Sequence, residues 1–311
     1  MPQKQTMAGL DWIAVDWGTT ALRVWALDAK GRVLDRVSSP EGMDTLSGPD
    51  AYEAALLRLA GGWLDGHKKA VPVIVCGMAG ARQGWKEAAY RKAPCRPASG
   101  TGLTTVSTRD RRIEVRIVPG ICQDDPADVI RGEETQLAGL VSAIGVSDGI
   151  VCMPGTHSKW VRLAGGRVTA FSTVMTGEIF ALMAERSVLR HSAAGDGHDE
   201  EVFAAAVREM IAAPETLTAA LFSVRAMALL DDASPAVCRA RLSGLLIGAE
   251  LAAMGEYWKA GAVHVVGAGP LVARYAQAID LVGAQAVPED GEALTLAGLT
   301  AVRAELDGSK G

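Results

Sequence analysis

Trp12-Ile13-Ala14-Val15-Asp16-Trp17-Gly18-Thr19-Thr20 is the stretch whose reading decides the fold. An apolar run ends in an acid and passes into a Gly-Thr-Thr turn, the pattern of a buried strand followed by a tight reversal. Residues 22–27 return as a second strand, Asp28-Ala29-Lys30-Gly31 turn again, and residues 32–37 form a third. The layout then recurs. Gly149-Ile150-Val151-Cys152-Met153 reads as a strand and Pro154-Gly155-Thr156 as a turn, residues 159–163 as a second strand, Ala164-Gly165-Gly166 as a turn, and residues 167–173 as a third. Two strand-turn-strand-turn-strand units, each with Gly-Thr in its first turn, indicate an architectural duplication that rests on layout, since the copies share little identity.

Between and after these units the pattern alternates. Helical spacing covers 50–65 behind Pro49-Asp50, residues 71–76 form a short buried strand ending at Gly77, and 112–118 read as an edge or late strand. Residues 131–144 turn helical. Later helices fall at 176–190, 199–212, 215–231 and 235–257, with 191–199 an exposed polar loop. A strand at 262–266 leads through Gly267-Ala268-Gly269-Pro270 into a helix that runs to 279, and a closing helix covers 292–306. The fold class is α/β, with mixed sheets and helices packed on them.

Composition narrows the function. The 311 residues suit two domains, and 49% apolar residues suffice for two cores. A net charge of -5, from 31 basic and 36 acidic residues, lacks the footprint of a nucleic-acid binder. No uncharged apolar run reaches the ~18 residues needed to span a bilayer, so no membrane partner is expected. The start, Met1-Pro2-Gln3-Lys4-Gln5-Thr6, has no apolar core of a secretory signal. Five scattered cysteines without a C-x-x-C pair fit reduced thiols in the cytoplasm.

Three turns carry the chemistry. Gly18 lets the backbone approach a ligand, Thr19 and Thr20 offer hydroxyls and N–H groups to phosphate oxygens, and Asp16 suits Mg²⁺ or its water shell. The plainer alternative is a hairpin whose Asp caps the turn. Met153-Pro154-Gly155-Thr156-His157-Ser158-Lys159-Trp160 repeats the arrangement with two hydroxyls, a His and a Lys, and a pair of such turns forms a phosphate clamp. A structural histidine at His157 is favoured over a catalytic one, and Lys159 reads equally as a solvated strand charge. Gly267-Ala268-Gly269-Pro270 lets a flat ring or ribose lie against a helix start. Val272 leaves G-x-G-x-x-G incomplete, so a classical dinucleotide fold is not supported, and no Walker A sequence occurs.

These turns, with Arg131-Gly132-Glu133-Glu134-Thr135-Gln136-Leu137, Val174-Met175-Thr176-Gly177-Glu178 and Leu242-Ser243-Gly244-Leu245-Leu246-Ile247-Gly248-Ala249-Glu250, resemble segments of the actin-like ATPase superfamily, which includes sugar kinases. More narrowly they resemble the 2-dehydro-3-deoxygalactonokinase family. The resemblance implies two RNase-H-like domains, at 7–132 plus 291–311 and at 133–290, with an active-site cleft between them. It also implies transfer of the γ-phosphoryl group of ATP to the C6 hydroxyl of 2-dehydro-3-deoxygalactonate, giving the 6-phosphate and ADP.

Under that reading Gly18, Thr19, Thr20, Arg23, Gly155, Thr156, His157, Ser158, Gly267, Gly269 and Pro270 hold the nucleotide, and Asp16 holds Mg²⁺ and acts in catalysis. A carboxylate must accept the hydroxyl proton. The resemblance places it at the entry to the first connecting helix, as Glu133 or Glu134, with Asp124, Asp125 and Asp128 as rivals that read better as helix-start acids. The Gly-rich stretch 77–85 is a substrate loop or a mobile surface connection, offering Met78, Ala79, Arg82 and Trp85, with Arg82 for the sugar carboxylate. Gly42 and Met43 are further substrate candidates. Residues 242–254 read as a packed core helix, with Glu250 a cap or paired charge. The partner expected is a small sugar acid, with a homodimer left open. The competing readings are a kinase of the same fold for another sugar, and a switch ATPase or regulator. A chaperone would add a peptide-binding β domain and a regulator a helix-turn-helix, and neither pattern is seen.

Overall fold

The computed structural model describes residues 7–308, and the segment 1–6 and the last three residues of the first proposed domain lie outside the described residues. The chain divides into two compact units. One takes the described residues up to Ser147, Gly166–Val168 and those from Glu292 on; the other takes Asp148–Gly165 and Thr169–Gly291. The sequence reading put a boundary at 132/133, whereas the first unit keeps the helix that follows Gly132.

The first unit opens with β1 (Trp12–Trp17), β2 (Leu22–Leu27) and β3 (Val33–Ser39), then α1 (Pro49–Ala60), which begins on Pro49 and ends against Gly61. β4 (Val71–Gly77) lies parallel to β1, with Asp16 opposite Cys76. Three short strands follow, β5 (Tyr90–Lys92), β6 (Thr104–Val106) and β7 (Ile113–Ile117). The sheet order β3-β2-β1-β4-β7-β6 puts β7 inside the sheet. Of the edge or late strand read for 112–118, the edge alternative is wrong, because β6 pairs antiparallel along its outer side. A hairpin of β8 (Gly120–Asp124) and β9 (Ala127–Ile130) precedes α2 (Glu133–Gly139).

Period-two alternation gives the sheet two faces. Ile13, Val15 and Trp17 pack toward Tyr52 and Leu56 of α1, with Val73 and Val75. Trp12 and Ala14 face the other way, with Ile74 and Cys76, toward Ala138, Leu299 and Val302. The closing helix thus belongs to this core.

The second unit repeats the plan. β10 (Gly149–Met153), β11 (Ser158–Ala164) and β12 (Arg167–Val174) form the antiparallel trio, and the order β12-β11-β10-β13-β14 adds β13 (Val263–Gly267) and β14 (Ala286–Asp290) in parallel. Between them run α3 (Thr176–Arg186), α4 (Glu200–Ala212), α5 (Leu217–Leu230), α6 (Pro235–Ala253), the short α7 (Gly255–Trp258) and, after β13, α8 (Gly269–Leu281). α9 (Gly291–Gly308) closes the described chain. Both sheets thus share the order 3-2-1-4-5 along their common part, which bears out the duplicated layout and is the RNase-H-like arrangement that the resemblance implied. α6 meets α4 almost backbone to backbone, since a Cβ on Gly244 would lie 2.5 Å from the Phe203 carbonyl.

Candidate active site

In the first unit the carboxyl ends of β1 and β4 and the start of α2 converge, the position where open α/β sheets bind ligands. Asp16 shares its face of β1 with Ala14, so it points to the side on which α2 packs. Its Oδ2 accepts a hydrogen bond from Arg23 Nη1 at 2.8 Å, and Cys76 Sγ approaches Oδ1 at 3.7 Å. Burial pushes the Asp16 carboxyl above the usual range, against the pull of the Arg23 guanidinium. Arg23 Nε also lies 3.7 Å from Glu292 Oε2.

Glycines bring the backbones together. Gly77 adopts φ +85°, and a Cβ there would lie 2.5 Å from the Trp17 carbonyl oxygen. Gly132, at φ +107°, packs on the Gly77 Cα. The Gly18 N–H closes the first turn on the Ala21 carbonyl at 2.8 Å, leaving Thr19 and Thr20 exposed. The N–H groups of Met43 and Asp44 bond the Gly18 and Thr19 carbonyls at 3.1 and 3.0 Å, and Gly42 has no room for a side chain beside Thr19. The structure therefore joins Gly42 and Met43 to the Asp16 turn.

The two glutamates differ. Glu134 is fully buried; its Oε2 accepts the Gly132 N–H at 2.6 Å and its Oε1 the Thr135 hydroxyl at 3.2 Å. Burial first, and then the neighbouring Glu133 charge, push its carboxyl up to about 7. Glu133 is half-exposed, and its Oε2 accepts the Arg131 N–H at 3.0 Å. Asp124, Asp125 and Asp128 lie on the β8–β9 hairpin and its turn, not at a helix start, and Asp124 pairs with Lys92.

Part of the predicted substrate loop is core. Trp85 is buried, its ring stacked 6.2 Å from Tyr52 and edge-on to Trp17 at 5.9 Å, and Ala79 is buried with it. This corrects the mobile-connection reading: Trp85 props the loop from behind. Met78 is half-buried, and Arg82 is exposed beside Glu87.

In the second unit the turn after β10 leaves Thr156 and His157 exposed. His157 Nε2 lies 2.6 Å from Glu178 Oε2. Ser158 faces inward instead, fully buried and 2.7 Å from the Tyr275 hydroxyl. Lys159 is also buried, donating to the His157 carbonyl at 2.8 Å, so it is not a solvated charge. α3 starts in backbone contact with the turn: the Glu178 N–H bonds the Thr156 carbonyl at 2.8 Å, and a Cβ on Gly177 would lie 2.2 Å from the Gly155 oxygen. Gly267 ends β13, Gly269 turns at φ +66°, and Pro270 enters the first turn of α8, where a missing N–H costs nothing.

A cavity of about 230 Å³ opens among these elements. Gly155, Thr156, Thr176 and Gly177 form one wall, with Phe180, Ser243, Leu246, Ile247, Leu271, Arg274 and Tyr275 completing it. It offers apolar side chains for a flat ring beside backbone and hydroxyl groups for phosphate, the mixture expected of a small-molecule pocket. Of this lining, sequence reading gave a site role only to Gly155 and Thr156. Spacing alone could have grouped Ser243 with Leu246 and Ile247, and Leu271 with Arg274 and Tyr275, each on one helix face.

Comparison with known proteins gives the family. The family model described as 2-keto-3-deoxy-galactonokinase matches residues 16–302. A Rhizobium meliloti (strain 1021) protein described as a probable 2-dehydro-3-deoxygalactonokinase is 42% identical, over 95% of this chain and 97% of its own length. The 2-dehydro-3-deoxygalactonokinase of Escherichia coli (strain K12) is 34% identical, over 94% and 97%. A Sinorhizobium meliloti crystal structure, provisionally described as the same enzyme, superposes with a TM-score of 0.85 at 41% identity, covering 94% of this chain and 95% of that one. With nearly the whole chain matched, it belongs to the 2-keto-3-deoxy-galactonokinase family.

Proposed function

We propose that the chain phosphorylates the C6 hydroxyl of 2-dehydro-3-deoxygalactonate at the expense of ATP. Family membership over nearly the whole chain is the observation that carries this reading. The site residues are compatible with it. Thr156, the α3 start and the apolar cavity walls suit a nucleotide, and in the first unit the Gly18 backbone and the Thr19 and Thr20 hydroxyls suit phosphate oxygens.

Asp16 is the proposed Mg²⁺ residue. Among the described residues no three His, Cys, Asp or Glu side chains form a metal-binding group. A single carboxylate fits Mg²⁺ held chiefly by phosphate oxygens and water, with Asp16 Oδ1 contacted only weakly by a thiol. When bound, the ion would neutralise charge on the phosphates.

Glu133 is the proposed proton acceptor, because its partial exposure leaves room for a sugar hydroxyl, whereas Glu134 is enclosed. As the hydroxyl oxygen bonds to phosphorus, its proton passes to the Glu133 carboxylate and ADP leaves. Phosphoryl transfer asks the protein chiefly to position and to spread charge, which suits a site built on glycine-tight backbone contacts. Arg82 is the proposed partner of the sugar carboxylate. The five free thiols support a reducing compartment, the cytoplasm. An ATP-dependent phosphorylation screen over 2-keto-3-deoxy sugar acids and ordinary hexoses tests the reading. Transfer to a hexose alone would point to another sugar kinase, and hydrolysis of ATP that no acceptor changes would point to a switch ATPase.

A further inference from the structure

Glu250 lies outside every role assigned so far. It sits on α6 and is almost completely buried. Its Oε1 accepts the Trp160 indole N–H at 2.7 Å and its Oε2 the Tyr275 hydroxyl at 2.7 Å. The Thr176 hydroxyl also bonds it, the Ser158 hydroxyl lies within reach, and burial pushes its carboxyl above the usual range. All four partners are neutral, and since Tyr275 spends its proton on Glu250, the one Ser158 proton goes either to Glu250 or to the Tyr275 oxygen. A carboxylate placed so deep without a cation is costly unless each bond is made with good geometry.

The four partners come from the elements that build the cavity. Thr176 opens α3, Tyr275 lies on α8, and both line the cavity wall. Ser158 and Trp160 lie on β11, directly after the Thr156 turn. Ser158 Oγ further touches the Tyr275 hydroxyl at 2.7 Å. One side chain thus ties together the strand that follows the phosphate turn and the two helices that flank the ring slot. A cap or a paired charge, the reading its sequence position suggested, would need neither this burial nor this convergence.

We propose that Glu250 is a positioning residue for the nucleotide: by holding Tyr275 and Thr176 in the cavity wall, and Ser158 behind the turn, it sets affinity for ATP without touching the transferred phosphoryl group. The inference rests on the reading of this cavity as the nucleotide site. A carboxylate is required because both of its oxygens accept. A Gln would aim an NH₂ group at one of the two donors and reverse the Tyr275–Ser158 bond.

Steady-state kinetics on Glu250→Gln, Tyr275→Phe and the double variant test it in the intact enzyme. The expected result is a rise of about tenfold in KM for ATP in each single variant. The values of kcat and of KM for the sugar acid should stay within about twofold, and the double variant should be no worse than the poorer single one. A purely structural role would lower thermal stability and active fraction but leave KM for ATP unchanged in the folded enzyme. An unchanged KM in both single variants overturns the proposal. Hydrogen exchange on wild-type protein with a non-hydrolysable ATP analogue separates the two levels. Protection at residues 155–156 and 176–180 supports the nucleotide site, so that an unchanged KM then removes Glu250 alone. Absence of that protection overturns the cavity assignment together with the inference.

Discussion

At Glu134 a negative charge meets surroundings that oppose it, and the consequence is a pH dependence with a definite sign. The group has its ordinary acidity near 4.5 in the unfolded chain and about 7 in the folded one. Below the lower value both states hold the proton and the residue is neutral in the balance. As pH rises from there to about 7 the unfolded chain gives up its proton while the buried carboxyl keeps its own, so stability falls, and the full cost persists once both states are ionised. The interval corresponds to a cost on the order of 3 kcal/mol. Thermal denaturation at pH 5 and pH 8 should therefore show Glu134→Gln losing less stability between the two than wild type; equal losses would show that Glu134 does not titrate in this range. Glu133→Gln should behave differently, with kcat down by roughly 10²–10⁴-fold and KM nearly unchanged, because it removes a base and no burial penalty. If kcat falls less than tenfold, the proton acceptor lies elsewhere. Asp16→Asn should keep the fold, since Arg23 can still donate to the amide oxygen, yet lose most turnover and the Mg²⁺ dependence of nucleotide binding measured by calorimetry. Wild-type kcat in that variant would end the metal assignment.

Elements in this protein are held at the site by backbone touching backbone, and glycine is what permits it. At Gly177 an added methyl would sit 2.2 Å from the Gly155 oxygen, so Gly177→Ala must displace either the turn or the start of α3. The expected cost is roughly 1–3 kcal/mol of stability, with a rise in KM for ATP. Gly61→Ala is the control: its φ is -59° and its nearest neighbour atom 3.9 Å away, so denaturation should find it neutral or slightly stabilising. The same scale explains what the sequence made legible. The trios at residues 12–39 and 149–174 were readable because alternation, turn residues and Gly-Thr corners agree locally. β5, β6, β8 and β9 were missed because runs of three to five residues carry too little period, and β14 because Pro288 breaks the strand signal. Trp85, Ser158 and Lys159 looked available as loop or turn residues; contacts with partners far along the chain put Trp85 and Ser158 inside, and Lys159 is buried beside them. The faces of α6 and α8 that line the cavity escaped for a related reason: α6 is apolar on both sides, so no stripe marks the side facing a ligand.

For the whole molecule the decisive feature is α9, which brings residues from the far end of the chain into the first unit's core. Leu294, Leu299 and Val302 are buried, the last two beside Trp12 and Trp25. Each such side chain contributes about 1.5–3 kcal/mol when buried. The helix also lies against α2 with no space between backbones, since a Cβ on Gly298 would come within 1.9 Å of the Thr135 oxygen. A ribosome delivers residues at roughly 5–20 per second. The unit made first must therefore wait on the order of ten seconds, while the second is synthesised, for the helix that completes it. Limited proteolysis of released chains should find one truncated at Gly291 protected over the second unit and cleavable over 7–147, with protection of the latter gained when the chain runs on to 308. During that wait the early half has an unfinished hydrophobic face, and it is in this interval, not in the finished enzyme, that a nascent chain of this kind depends most on chaperones.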